Sequence, residues 1–167
     1  MENCSRCDDL PDPLDDRGRL ILSSPIEHTI SKIKSILDEA GHAYEIKENN
    51  LLVCSIDSDE LKTLSAQIDE TLGDEEKNDT RALWKESDQG IDMTDLSSMK
   101  SLEKLLGRVD GEWLIDVLRD ERLFNVFQPI VMADDPSQIH GYECLLRARD
   151  ESGDQINPGR IFGTAKS

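Results

Sequence analysis

The sequence predicts an α+β protein: a ferredoxin-like βαββαβ domain over residues 18–88, then helices, then a strand pair that leads into a final helix. Three observations carry this. Apolar runs up to residue 86 alternate in the order strand, helix, strand, strand, helix, strand. Residues 99–117 keep a helical repeat of apolar side chains, and from Leu123 the pattern returns to β.

"RLILSS" is the first strand. Ser24 as N-cap, Pro25 at the first helical position and Glu27 three residues after the cap predict a helix start there. Ile26, Ile30, Ile33 and Leu37 then recur on one face, and Gly41 ends the helix. "HAYEIKE" and "LLVCSID" are the next two strands, joined by a tight hairpin across Asn49 and Asn50, since asparagine tolerates positive φ. A second helix runs from Ser58 to about Leu72 with Leu61, Leu64, Ile68 and Leu72 on one side; "GDEEKND" reads as an acidic turn and "TRALWKE" as the fourth strand. Residues 57–79 hold nine acidic residues against two lysines, either a solvated face or a docking surface for a basic partner.

"SDQGIDMTDLSS" has no sustained periodicity, so residues 89–98 read as a linker. Met99, Leu102, Leu106, Val109, Trp113 and Val117 predict a helical connector over residues 99–122, broken at Gly107 or Gly111 or split in two. Trp113 is a packing anchor or a ligand contact. "LFNVFQPIVM" and "IHGYECLLRAR" are strands around the turn "ADDPSQ". Alternation places Tyr142, Cys144, Leu146 and Ala148 on one face of the second strand and Glu143, Leu145 and Arg147 on the other. Four residues of strand span about 13 Å at roughly 3.3 Å per residue, too far for Glu143 and Arg147 to pair. Either that face meets solvent or each charge takes its own partner, a metal ion for the carboxylate and a phosphate for the guanidinium. "INPGRIF" starts a helix with Asn157 as cap and Pro158 first.

A chain of 167 residues has room for one ordinary domain, or a small domain and part of another. Its 37% hydrophobic and 33% charged residues suit a folded protein with polar tails. The net charge of −17 repels nucleic acid and anionic membrane surfaces, so neither DNA nor a membrane is an expected partner. No apolar run approaches the roughly 20 residues of a membrane span and the N-terminus lacks signal-peptide features, which predicts a cytoplasmic protein. Cys54 and Cys144 lie in apolar runs and read as small free-thiol hydrophobes. Residues 1–17 read as a flexible terminus carrying Cys4 and Cys7. Their C-x-x-C spacing fits an exposed pair, half of a zinc site that His28 or His42 would complete, or a redox pair.

"FQPIV", "GYECLLRARD" and "INPGRIF", in that order, resemble the opening of an EAL domain, the family of cyclic di-GMP phosphodiesterases, with the Glu-x-Leu-x-Arg core present as Glu143, Leu145 and Arg147. Cys144 stands where that family commonly has alanine. The resemblance implies a modified TIM-type barrel in which Glu143 is a ligand of catalytic magnesium or manganese. It also implies that Arg147, Leu145 and Gln128 contact the dinucleotide, and that metal-assisted attack of water yields pGpG. Residues 123–167 are 45 residues, whereas a barrel takes about 250. The family's paired aspartates, catalytic lysine and later glutamates have no counterpart here. The expectation is therefore an inactive fragment of a longer phosphodiesterase: a regulatory domain plus an incomplete barrel, with a homodimer or a protein partner implied by the resemblance, since family members often work as dimers. The other readings are a complete non-catalytic interaction or cyclic di-GMP adaptor protein, and a metal or thiol sensor at Cys4 and Cys7.

Overall fold

The computed structural model describes residues 10–47, 51–86 and 90–165, and these form a mixed α+β protein. Two compact units divide the chain, Pro13–Asp110 on one hand and Met1–Asp12 with Gly111–Ser167 on the other.

The first unit is built on a sheet of five strands, β1 (Arg17–Ser23), β2 (Tyr44–Lys47), β3 (Leu51–Asp57), β4 (Arg81–Glu86) and β5 (Lys100–Ser101), ordered β2-β3-β1-β4-β5 and antiparallel throughout. Central β1 is buried on both faces, which is why it reads as a continuous apolar run rather than an alternating one. Leu20 and Leu22, with Leu52, Cys54, Ile56 and Ala82 from the neighbouring strands, meet Ile30, Ile33, Ile36 and Leu37 of α1 (Glu27–Glu39) and Leu61, Leu64 and Ile68 of α2 (Ser58–Thr71). The alternate residues Ile21, Leu51 and Val53 form a smaller cluster on the other face with Leu83, Ile91 and Met99.

α1 starts later than its sequence signals predict. Ile26 is the N-cap, with no side-chain cap bond, because the Ser24 hydroxyl accepts the Ile26 N–H two residues on and closes a local turn instead. Its end is as expected: Gly41 adopts φ 74°, and the Gly41 and His42 N–H groups bond back to Asp38 and Leu37 carbonyls in a Schellman motif. α2 has a full capping box, Asp57 accepting from Asp59 and Glu60 N–H and Glu60 accepting from Asp57 N–H. The acidic "turn" is a helix, α3 (Asp74–Asp79), tied to α1 where Glu76 accepts from Lys32 at 2.8 Å and from the Thr29 hydroxyl. The hairpin at Asn49 and Asn50 lies outside the described residues.

The segment read as a linker holds a further helix, α4 (Met93–Ser98), capped by Asp92 and followed directly by β5. α5 (Leu102–Arg119) is one unbroken helix through Gly107 and Gly111, since its apolar repeat supplies packing on both sides of each glycine. Up to Asp110 it belongs to the first unit, where Leu102, Leu106 and Val109 join the main core.

The second unit is a three-stranded antiparallel sheet, β6 (Leu123–Val131), β7 (Ile139–Arg149) and β8 (Gln155–Ile156), in that order, with α6 (Pro158–Thr164) after it. Its core is Val117, Ala148, Ile156 and Ile161, with Trp113, Leu114, Leu123 and Leu146 packed around them. Asn157 caps α6 by accepting the Gly159 N–H at 2.7 Å, with Pro158 in the first turn. No helix among the described residues is long and apolar enough to cross a membrane.

Candidate functional site

The register of β6 with β7 sets Gln128 opposite Glu143, Val126 opposite Leu145 and Phe124 opposite Arg147. Directly opposed residues of an antiparallel pair project to the same side. Gln128, Glu143, Leu145 and Arg147, which come from two separate sequence segments, therefore share one face of a single hairpin. Glu143 and Gln128 are exposed, and Leu145 and Arg147 half-buried. Glu143 and Arg147 form no ion pair, as their spacing on one strand requires. Arg147 donates from Nη1 to the Leu146 carbonyl at 2.8 Å, which steers the guanidinium along its own strand.

The opposite face is anchored at one end only. At that end Arg149 stacks over the Phe124 ring at 4.8 Å on the site face, while on the opposite face Leu123, Leu146 and Ala148 are covered by α5 and α6, where Arg160 stacks over Trp113 at 4.4 Å. Trp113 is thus a packing anchor in this unit. Further along the same face Phe127 is 62% exposed and Tyr142 59%. Cys144 lies there too and is exposed, contrary to the expectation of a buried thiol, because the helices stop short of it. Cys54 is buried, and burial pushes its thiol up to about 11.

The turn that closes the hairpin is held by Asp135, whose carboxylate accepts from the Ser137 hydroxyl and N–H. These bonds hold its pKa below the usual range. At the anchored end, Asp150 accepts from the Ser152 hydroxyl and Asp154 N–H and is lowered likewise, the Ser152 bond contributing most. An open cleft of about 660 Å³ lies between residues 121–124 and 149–153. It adjoins the Arg147 end of the hairpin and does not reach Glu143.

Among the described residues no three His, Cys, Asp or Glu side chains gather as a metal-ligand set. Cys4 and Cys7 lie outside the described residues. Sequence reasoning did not find Phe124 and Val126 on the site face. Alternation along β6 puts both on the face of Gln128, but only the cross-strand register, unshifted up to Ile130, makes that the face of Glu143 and Arg147. No protein-family model and no curated protein sequence matches this chain.

Proposed function

We propose that residues 123–165 are the opening segment of an EAL-type cyclic di-GMP phosphodiesterase and that residues 18–86 are a ferredoxin-like regulatory domain before it. The observation that carries the first part is the common face of Gln128, Glu143, Leu145 and Arg147. The resemblance assigns those four residues to metal and dinucleotide, and a ligand spanning both needs them on one side. The antiparallel strand order β2-β3-β1-β4, with α1 and α2 over one face, supports the second part.

In the complete enzyme Glu143 would hold magnesium or manganese, which supplies an activated water and neutralises phosphate charge. Arg147 would take a phosphate oxygen through guanidinium N–H groups not committed to Leu146, and Gln128 would offer its amide to the same ligand. On this reading Glu143 is one ligand of a larger metal set, and one carboxylate binds a divalent cation weakly. The chain alone is expected to bind the dinucleotide weakly and to release no pGpG.

The test is NMR titration of isotopically labelled chain with cyclic di-GMP and manganese. Shifts and paramagnetic broadening centred on Gln128, Glu143, Leu145 and Arg147, lost in Arg147→Ala and Glu143→Gln respectively, are the expected result. Titration that leaves this face unmoved removes the proposal. A second reading, a non-catalytic module acting by contact, is favoured by the exposure of Phe127, Ile139 and Tyr142 on the other face. It predicts that Phe127→Ser abolishes partner binding while the dinucleotide titration shows nothing.

A further inference from the structure

Arg19 on β1 and Lys85 on β4 are direct cross-strand partners in the first unit. They lie on the sheet face that carries Ile21, away from α1 and α2. Like charges placed opposite each other destabilise a sheet pair unless an anion sits between them. Here the anion is Asp95 of α4: Lys85 donates to its two carboxylate oxygens at 2.8 and 2.6 Å, both side chains only 14% exposed. Lys85 also donates to the Gly90 carbonyl at 3.0 Å. Arg19 adds to the field at Asp95, yet its Nε and Nη2 are shielded from solvent and have no hydrogen-bond partner among the described residues. Buried guanidinium donors without acceptors are costly, and they mark a place where a further carboxylate oxygen would be bound.

What lies over this face is held at few points. Residues 90–99 cross it with Ile91 and Met99 packed on Ile21, Leu51, Val53 and Leu83. Ile91, Asp95 and Met99 are spaced by four, so one stripe of the segment supplies an apolar, acidic, apolar footprint. Its other apolar residues point away, Met93 being 79% exposed and Leu96 38%. Few buried apolar contacts and one ion-paired anchor are the marks of a segment that opens before the rest of its domain.

We propose that the face of β1, β3 and β4 bearing Arg19 and Lys85 is a docking site for a carboxylate-bearing peptide segment of a partner protein, and that residues 90–99 occupy it as an internal competitor. The partner segment carries an acidic side chain flanked four residues away on each side by apolar ones, as the competitor does. Its carboxylate takes Lys85 and the open donors of Arg19 together.

The test is a fluorescence-anisotropy titration of the full chain with a labelled peptide of residues 90–99. Asp95→Ala removes the internal anchor and is expected to bind the peptide at least about tenfold more tightly than wild type, the scale of one charge-assisted contact. A peptide carrying Asp95→Asn, or the double variant Arg19→Gln with Asp95→Ala, is expected to lose that gain. Equal binding to wild type and Asp95→Ala, with circular dichroism unchanged, overturns the proposal. So does self-association of Asp95→Ala without peptide uptake, since the face would then serve a second copy. Should Asp95→Ala not fold, Ile91→Ser loosens the apolar anchor instead, and the same peptide is expected to bind it more tightly than wild type; no gain there overturns the proposal equally.

Discussion

Glu121 has φ 55°, the left-handed region, at the end of α5, where the Glu121 and Arg122 N–H groups bond back to Leu118 and Val117 carbonyls. The same motif closes α1 with Gly41, for which positive φ carries no steric cost, whereas a side chain there costs about 1 kcal/mol. Glu121→Gly is therefore expected to stabilise the second unit by about 1 kcal/mol, read as a higher urea midpoint with the slope unchanged. Gly18 is the opposite case. A Cβ there would stand 2.5 Å from the Trp84 ring and 2.9 Å from the Lys85 carbonyl, so Gly18→Ala is strained by closeness rather than by conformation. The two described cysteines differ in the same residue-by-residue way. At pH 8 a thiol reagent is expected to modify exposed Cys144 at least about tenfold faster than Cys54, whose thiol is buried and raised to about 11. Peptide mapping after partial modification reads the order directly, and comparable rates would mean that the first core opens far more easily than its packing implies.

Helix ends show which signals are local and which are not. The box at Asp57 and Glu60 is complete within four residues, and α2 starts at Ser58, where the repeat of Leu61, Leu64, Ile68 and Leu72 puts it. Ser24, Pro25 and Glu27 have the same letters in the right order, but the Ser24 hydroxyl closes a turn and the helix begins at Glu27. Asp57→Ala is accordingly expected to cost about 1 kcal/mol in a denaturant melt, and Ser24→Ala distinctly less. α3 and α4 escaped the sequence because six residues cannot show an apolar repeat. Both are fixed by charges on other elements, Glu76 by Lys32 of α1, 44 residues away, and Asp95 by Lys85 of β4, ten residues away. In β7 alternation correctly separated Glu143, Leu145 and Arg147 from Tyr142, Cys144 and Leu146. It could not reveal that the second set is covered only near Leu146 and Ala148, since cover depends on where α5 and α6 end.

Across the molecule, acidity works in two opposed ways. A net charge of −17 makes the folded chain repel itself at neutral pH, so raising ionic strength to about 0.15 M at pH 7 is expected to raise the melting temperature. Individual carboxylates nevertheless stabilise the fold. Glu76 is held below the usual range by Lys32 first and the Gly73 N–H second, and Asp95 by Lys85 and then the Asp92 N–H. A pKa lower in the folded than in the unfolded chain means that the unfolded chain binds more protons between the two values, so stability rises with pH through that window. The contribution is complete above the unfolded value near pH 4 and disappears as pH falls through the lower native one. Two regimes follow on acidification. Down to about pH 5, repulsion weakens little because few carboxylates have titrated; below about pH 4 the relief of repulsion competes with the loss of these paired anions. The double variant Glu76→Gln with Asp95→Asn separates the two. It is expected to be less stable than wild type at pH 7 and to show a shallower loss between about pH 4 and pH 2, so that the two curves converge at the acid end. Curves that stay parallel across that range would assign acid unfolding to the general charge balance and leave the Lys32 and Lys85 pairs without a part in it.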